Sequence, residues 1–267
     1  MPSDRSIQEL MPTRFARPSI FTWVILLTFF AFFIQGLIGA NVSLERLMKG
    51  AANMGEFMSM ATPPSVSRLD VIAKAMWETM NMAIVGVTFG VIFSLPFALL
   101  CARNTSPNAL VRIVAINIVS TLRTVPDLIW ALIFVVAVGL GPLAGILAII
   151  MDTIGFCARF FAERIEEINP KPGMALKAAG ASRTSVVVGA ILPECVPSFV
   201  ATSLFSVEKA VRSAVVLGLV GAGGIGVELT SAMNLFRYRE ALTIILVVLV
   251  VVIAVEQVSK AIRSRII

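Results

Sequence analysis

The stretch TMNMAIVGVTFGVIFSLPFALLCA, residues 79–102, decides the fold. It carries no charged side chain, and it exceeds the about 20 apolar residues that an α-helix needs to cross the hydrocarbon core of a bilayer. A soluble protein of this size interrupts its apolar runs more often. The stretch therefore predicts a transmembrane helix, and Pro96 within it predicts a bend.

The composition of the whole chain agrees with this prediction. The chain has 267 residues, of which 58% are hydrophobic and 14% charged. Average soluble domains are about 45–50% apolar and about 25% charged. The formal net charge of +6 comes from basic residues that stand between apolar runs, so membrane topology explains it better than nucleic-acid binding.

The residue types that are absent or scattered exclude several functions. The chain contains no histidine, which excludes His-ligated metal or haem and catalysis by Ser–His or Cys–His pairs. Cys101, Cys157 and Cys195 show no metal-ligand spacing and lie in or beside apolar runs, so we interpret them as small hydrophobic residues. We therefore expect no catalytic residue and no metal site in this chain.

Further apolar runs precede and follow the stretch 79–102. The run 113–151 is too long for one crossing, and Gly139-Leu-Gly-Pro142 predicts a tight turn within it. The sequence thus predicts an all-α membrane protein with one transmembrane domain, 18–260. It predicts short terminal segments, 1–17 and 261–267, and a polar loop, 163–192. The six predicted helices cover about 19–39, 79–102, 113–137, 142–160, 193–217 and 240–258.

The distribution of Lys and Arg predicts the orientation. Six crossings place both termini on one face, and this face carries most of the basic residues outside the spans. The positive-inside rule then places both termini in the cytoplasm. The first face has Arg5, Arg14, Arg17, Arg103, Arg112, Arg159, Arg164, Lys171, Lys177, Arg183, Lys260, Arg263 and Arg265, and the other has Arg46, Lys49, Arg68, Lys74, Arg237 and Arg239.

The outer segment 41–78 contains Pro63-Pro64 and three methionines, and we expect short interfacial helices there. Packing against the membrane surface is one interpretation of this segment. Docking of an extracytoplasmic partner is the other.

The cytoplasmic segment MALKAAGASR, residues 174–183, is polar enough to leave the membrane and rich in helix formers. It predicts a short helix, a break at Gly180, a second helix and a new span beginning at Leu192-Pro193. A short helix of this kind can seat in a groove of a soluble partner. An ordinary interfacial loop helix is the alternative that the spacing alone leaves open.

This segment resembles the coupling loop of ABC importer permeases, in which Glu-Ala-Ala is followed by Gly and, after a fixed gap, by Leu-Pro. The sequence departs from that pattern at Met174, Leu176 and Ala190, while the Gly180-to-Leu192 spacing is kept. The resemblance implies contact with a cytoplasmic ATPase through Met174, Ala175, Ala178, Gly180, Ala181, Ser182, Leu192 and Pro193.

Three longer motifs resemble the phosphonate permease family, which also includes importers of phosphite and related anions. They are LRTVPDLIWAL at 122–132, VAVGLGP at 136–142 and EKAVRSAVVLGLVGAGGIG at 208–226, the last of which also resembles methionine importer permeases. The resemblance implies the type I importer fold in a bacterial inner membrane and a homodimer or a pair of homologous permeases. It also implies two ATPase subunits and a periplasmic substrate-binding protein. The chain has no GxxxxGK[ST] loop, so ATP and Mg²⁺ are expected on the partner ATPase, with no cofactor in this chain.

Two spaced pairs of charged residues lie within predicted spans. Arg123 and Asp127 are four residues apart, as are Glu208 and Arg212, and this spacing places each pair on one helix face. Intramembrane charges normally face a bundle interior or a wet cavity. Each pair either locks helix packing or lines a translocation path for a small anion.

The glycine-rich stretch Gly221-Ala-Gly-Gly-Ile-Gly226 follows the fifth predicted helix. No strand flanks it, so it is not a dinucleotide loop. We interpret it as a turn or re-entrant segment at the outer face. A gate that involves Gly221, Gly223 and Gly224 and plain tight helix packing remain open alternatives.

The function predicted from these features is that of a non-catalytic permease subunit of an ATP-driven importer for phosphonate, phosphite or hypophosphite. A permease for methionine, an autonomous secondary transporter and a membrane enzyme are the alternatives. The absence of a convincing internal repeat disfavours the secondary transporter.

Overall fold

The computed structural model describes residues 19–266, and this part of the chain is helical throughout, with connecting turns. The all-α prediction is therefore confirmed. The predicted N-terminal segment 1–17 lies outside the described residues. The chain divides after Ser59 into two compact units.

In the first unit, α1 (Ile20–Gly39) contains no charged residue and is long enough to span a membrane. The hydroxyl oxygen of Ser19 caps it by accepting a hydrogen bond from the amide of Phe21 at 3.4 Å. α2 (Leu44–Ala61) follows and runs on into the second unit. It is amphipathic, as expected for part of the outer segment.

The second unit is a helical bundle whose main members are long. Between the long helices lie several shorter ones and a π-helical turn, Val187–Ile191. The helices are α3 (Leu69–Cys101), α4 (Ala109–Thr124), α5 (Asp127–Val138), α6 (Pro142–Glu167), α7 (Pro170–Ala178), α8 (Arg183–Val186), α9 (Leu192–Gly218), α10 (Ile225–Asn234) and α11 (Tyr238–Ile266).

Within residues 19–266, five helical segments are long and apolar enough to cross a membrane, and α4 with α5 makes a sixth if the bent pair counts as one span. The third predicted helix, 113–137, is therefore wrong as a continuous helix, because its two halves meet at 89°. Pro126 causes the break: it disfavours the helical conformation at Val125, which has a ψ of 119°.

Several helices are longer than their apolar cores. α3 begins at Leu69 rather than 79, α6 continues to Glu167 rather than 160, and α11 continues to Ile266 rather than 258. The predicted C-terminal tail is thus helical over 261–266. Helix formation does not stop where hydrophobicity does, because charged helix formers such as Glu and Lys continue the hydrogen-bond ladder.

The contact between α3 and α6 is the most extensive in the bundle, and two glycines make it close. A Cβ atom added at Gly86 would lie 2.6 Å from Cγ2 of Ile149, and one added at Gly90 would lie 2.6 Å from Cγ2 of Thr153. The spacing G-x-x-x-G lets membrane helices approach without side-chain bulk. This motif lies in the stretch that decides the fold, and its spacing was a further sequence signal for close helix packing.

Two hydrophobic clusters fill the bundle. One lies around Met82, Ile149 and Leu217, and the other around Phe161 and Phe199, whose rings stack at 4.2 Å between centroids. The three cysteines are free and buried, and all of them belong to the second cluster.

Candidate translocation path and coupling surface

The predicted coupling segment forms a short helix, a turn and a second helix. Asn169 caps α7 by accepting a hydrogen bond from the amide of Lys171 at 3.0 Å, and Pro170 is its first residue. After α7 ends, Gly180 takes a φ of +83°, and its amide donates to the carbonyl of Lys177 at 3.0 Å. The positive φ explains why glycine stands there, since no atom lies within 4 Å of an added Cβ.

Part of the exposed surface of this segment consists of small and apolar side chains, with Lys171 and Lys177 exposed beside them. Met174, Ala175 and Ala178 are exposed on α7, and Gly180 and Ser182 are exposed in the turn, while Ala181 is half-buried. Leu176 points inward instead, against Gly189. An exposed set of small and apolar side chains on a polar loop is the kind of surface that a protein partner covers.

The other two predicted coupling residues lie where the next long helix starts. Leu192 is half-buried and Pro193 is exposed in the first turn of α9. A proline fits the first turn because the amides there need no intrahelical acceptor.

Polar contacts fasten the coupling segment to the ends of the long helices. Arg183 donates to the carbonyl of Thr105 at 3.1 Å and to that of Ser106, which ties α8 to the turn after α3. Asn104 in the same turn donates to the carbonyl of Ile165 at 2.6 Å, at the end of α6. A displacement of the segment is thereby linked to α3 and α6.

Arg123 and Asp127 do not form the predicted helical pair. The break at Pro126 separates them, and no ion pair of either residue occurs within residues 19–266. Asp127 instead accepts a hydrogen bond from the amide of Leu128 at 2.9 Å, at the start of α5. Arg123 remains exposed at the bend, whose backbone packs closely against Gly155 of α6.

Glu208 and Arg212 do meet on α9, at 2.8 Å between Nη1 and Oε1. The Glu208 side chain is only 8% exposed, and its second oxygen faces Nη2 of Arg263 on α11 at 3.7 Å. One buried carboxylate therefore faces two guanidinium groups. Glu256, which pairs with Lys260 at 2.7 Å, also interacts electrostatically with both guanidinium groups, so these three cations and two carboxylates carry a net charge of +1. Arg263 was not among the predicted site residues, because it lies in the predicted C-terminal segment 261–267.

A second intramembrane ion pair was also missed. Nζ of Lys209 on α9 lies 2.8 Å from both carboxylate oxygens of Asp152 on α6. The two residues are far apart in sequence, so no helical spacing connects them. The sequence signal for this pair was the presence of each charged residue by itself inside an apolar run.

The glycine-rich stretch lies where four helix ends pack closely together, namely the ends of α5 and α9 and the beginnings of α6 and α10. Gly221, Gly223 and Gly224 have φ values of +85°, +84° and +75°. The amide of Gly224 donates to Oε1 of Glu78 at 2.9 Å, and the amide of Gly141 donates to the carbonyl of Gly221 at 3.0 Å. These contacts support tight packing, and the gate stays a prediction.

Replacing Gly223 by alanine is expected to lower the free energy of unfolding by about 1–3 kcal/mol more than replacing Gly139 by alanine. Both glycines have a positive φ, +84° and +92°, so both substitutions carry similar backbone strain. Only at Gly223 does the new Cβ meet backbone, 2.8 Å from the nitrogen of Pro142. Denaturant unfolding of the purified variants in detergent measures the difference. Equal stabilities combined with a block of transport would favour the gate instead.

The bundle, the charges within its apolar helices and its exposed turn at Gly180 define a multi-span helical transport subunit. The fold is that of type I ABC importer permeases. The subunit of the methionine ABC transporter MetNI in an inward-facing conformation superposes with a TM-score of 0.68 at 24% identity, over 76% of this chain and 99% of that one. A second structure, that of an amino acid ABC transporter with histidines, matches with a TM-score of 0.64 at 17% identity, over 78% of this chain and 98% of that one.

Residues 94–267 match the family described as binding-protein-dependent transport system inner membrane component, and the chain belongs to this family. The phosphite transport system permease protein PtxC of Stutzerimonas stutzeri is 39% identical over 86% of this chain and 82% of its own length. The phosphate-import permease protein PhnE of Mycolicibacterium smegmatis is 36% identical over 81% of this chain and 41% of its own length. The chain is thus a multi-pass inner-membrane transport component.

Proposed function

We propose that this chain is the permease subunit of an ATP-driven importer for a small phosphorus oxyanion such as phosphite, hypophosphite or a phosphonate. The observation that carries the anion assignment is the cluster around Glu208, where two guanidinium groups share one buried carboxylate. A net positive charge within the helical bundle favours an anion over a zwitterion or a cation. The similarity to a phosphite permease supports the same substrate class.

The motor of this importer is a separate chain. Two copies, or this chain and a homologous permease, form the pathway, and the exposed surface of Met174, Ala175 and Ala178 contacts the ATPase subunits, which bind ATP and Mg²⁺. A periplasmic receptor delivers the anion, and both termini face the cytoplasm. The chain itself carries out no covalent chemistry: closure of the ATPases displaces the coupling segments, and the linked ends of α3 and α6 follow.

The test is uptake of phosphite into proteoliposomes that contain the chain alone or the chain with its ATPase and receptor. Uptake is expected only in the complete assembly and only with ATP. Hypophosphite, methylphosphonate and phosphate are expected to compete, and methionine is not. Uptake by the chain alone would identify a secondary transporter, and competition by methionine alone would overturn the substrate class.

The coupling role predicts that Ala178→Glu abolishes phosphite uptake and receptor-stimulated ATP hydrolysis. Ala178 is exposed, so the fold is expected to tolerate the glutamate, whereas a docked ATPase is not. Ala261→Glu, also at an exposed helix position but near the end of α11, is the matched control and should leave both activities unchanged. Normal ATPase stimulation in Ala178→Glu would remove this surface from the coupling interface.

A further inference from the structure

The Asp152–Lys209 ion pair belongs to a mixed charged and aromatic face that α6 and α9 form together. The ammonium group of Lys209 lies 5.1 Å from the centre of the Phe156 ring, which is one turn from Asp152 on α6. Phe205, one turn from Lys209 on α9, stacks on Phe156 with 5.7 Å between ring centroids. The Phe156 ring, on which Phe205 stacks, therefore stabilises the ammonium group of Lys209 through a cation–π interaction.

The pair lies at half depth in the membrane. Asp152 is ten residues from Pro142 at the start of α6, and Lys209 is nine residues from Gly218 at the end of α9. At 1.5 Å per residue, both are about 15 Å from those helix ends, half of an about 30 Å hydrocarbon core. The two ends lie side by side, since the amide of Gly141 donates to the carbonyl of Gly221 at 3.0 Å.

The pair is not sealed inside the subunit. The Lys209 side chain is 35% exposed and that of Asp152 is 21% exposed. Arg212, three residues from Lys209 on the same side of α9, is 46% exposed. Charged groups that face hydrocarbon at half depth cost several kcal/mol, so this face borders a hydrated path or a second permease copy rather than lipid.

We infer that Lys209 is a binding residue for the transported oxyanion and that Asp152 is the counter-ion that keeps this binding weak. This inference rests on the proposed function. An ammonium group has three N–H donors, and Asp152 is the only acceptor that Lys209 has among residues 60–266. At least one donor is therefore available to an oxygen of the anion.

The counter-ion explains how the site permits transport. A bare ammonium at low dielectric would hold an oxyanion strongly, and a pathway site must release what it binds. The Asp152 carboxylate neutralises the charge of the Lys209 ammonium group but leaves an N–H donor of that group available. It also holds the Lys209 side chain over Phe156. An anion therefore gains one charge-assisted hydrogen bond without a deep energy well.

The decisive variant is the double substitution Asp152→Leu/Lys209→Leu. A pair that only locks the helices can be replaced by apolar residues with little loss. A residue that binds the transported anion cannot be replaced in this way without a loss of uptake. In proteoliposomes with ATPase and receptor, we expect the phosphite taken up per ATP hydrolysed to fall at least tenfold, while receptor-stimulated hydrolysis persists. An unchanged ratio would overturn the inference.

Two further variants keep the test decisive. If the double variant does not assemble, Lys209→Gln is measured in the same way, with Lys209→Arg expected to restore part of the uptake per ATP. Arg159→Leu/Glu163→Leu removes a different ion pair, an i, i+4 pair on α6 with 2.7 Å between its charged atoms, and is expected to leave the ratio unchanged. An equal fall in this control would overturn a specific role of Lys209. Absence of phosphite uptake by the complete assembly with the unmodified chain and ATP would instead refute the proposed function.

Discussion

Replacing Gly90 by leucine is expected to prevent the bundle from folding stably. A single Cβ at this position would already lie 2.6 Å from Cγ2 of Thr153 and 3.3 Å from the carbonyl oxygen of Ile150. The neighbour is the rigid helix α6, which cannot move away without disturbing the largest helix contact of the unit. We expect a loss of about 3 kcal/mol or more in the free energy of unfolding, the upper part of the range for overpacking.

The measurement is the amount of monodisperse protein extracted from membranes, followed by denaturant unfolding in detergent. Ile84→Phe is the matched control, because it adds bulk to the same helix at a position that is 49% exposed. Its stability is expected to stay within about 0.5 kcal/mol of the unmodified chain. Normal yield and stability of Gly90→Leu would show that α3 and α6 are not in close contact.

Replacing Glu208 by leucine is expected to have the second largest effect, a loss of about 3 kcal/mol in the free energy of unfolding. The substitution removes the one carboxylate that faces both Arg212 and Arg263. Two cations then lie close together without the carboxylate that faced both of them. The value is taken from the low end of the range for broken buried pairs, since Arg212 is 46% exposed and can turn toward water.

A double-mutant cycle tests the cause. Arg212→Leu alone is expected to lower the free energy of unfolding by about 1 kcal/mol, because Glu208 keeps Arg263 as a partner. Glu208→Leu/Arg212→Leu is expected to be less destabilised than Glu208→Leu. Glu163→Leu is the control: its partner Arg159 is on the same helix at 2.7 Å, and both side chains are nearly half exposed. An equal loss in Glu163→Leu and Glu208→Leu would contradict the buried-cluster explanation.

The two intramembrane pairs that the sequence predicted had opposite outcomes for one physical reason. The spacing of four residues implies contact only where the helix between them is continuous. It is continuous through Glu208 and Arg212. Between Arg123 and Asp127 it is interrupted, because Pro126 cannot donate a backbone hydrogen bond and disfavours the helical conformation of Val125. Pro126 in the motif Thr-Val-Pro-Asp was therefore the sequence signal for this break.

What the sequence by itself determined are the local properties of the chain. Apolar runs such as 79–102 are long enough to cross a bilayer, Gly139 to Pro142 force a turn, and Gly180 ends a short helix, because hydrophobicity and backbone preference act within a few residues. Only the tertiary structure decided which distant groups meet. Lys209 finds Asp152, and Arg263 reaches Glu208, because helix packing brings their faces together, and no sequence spacing encodes such a contact.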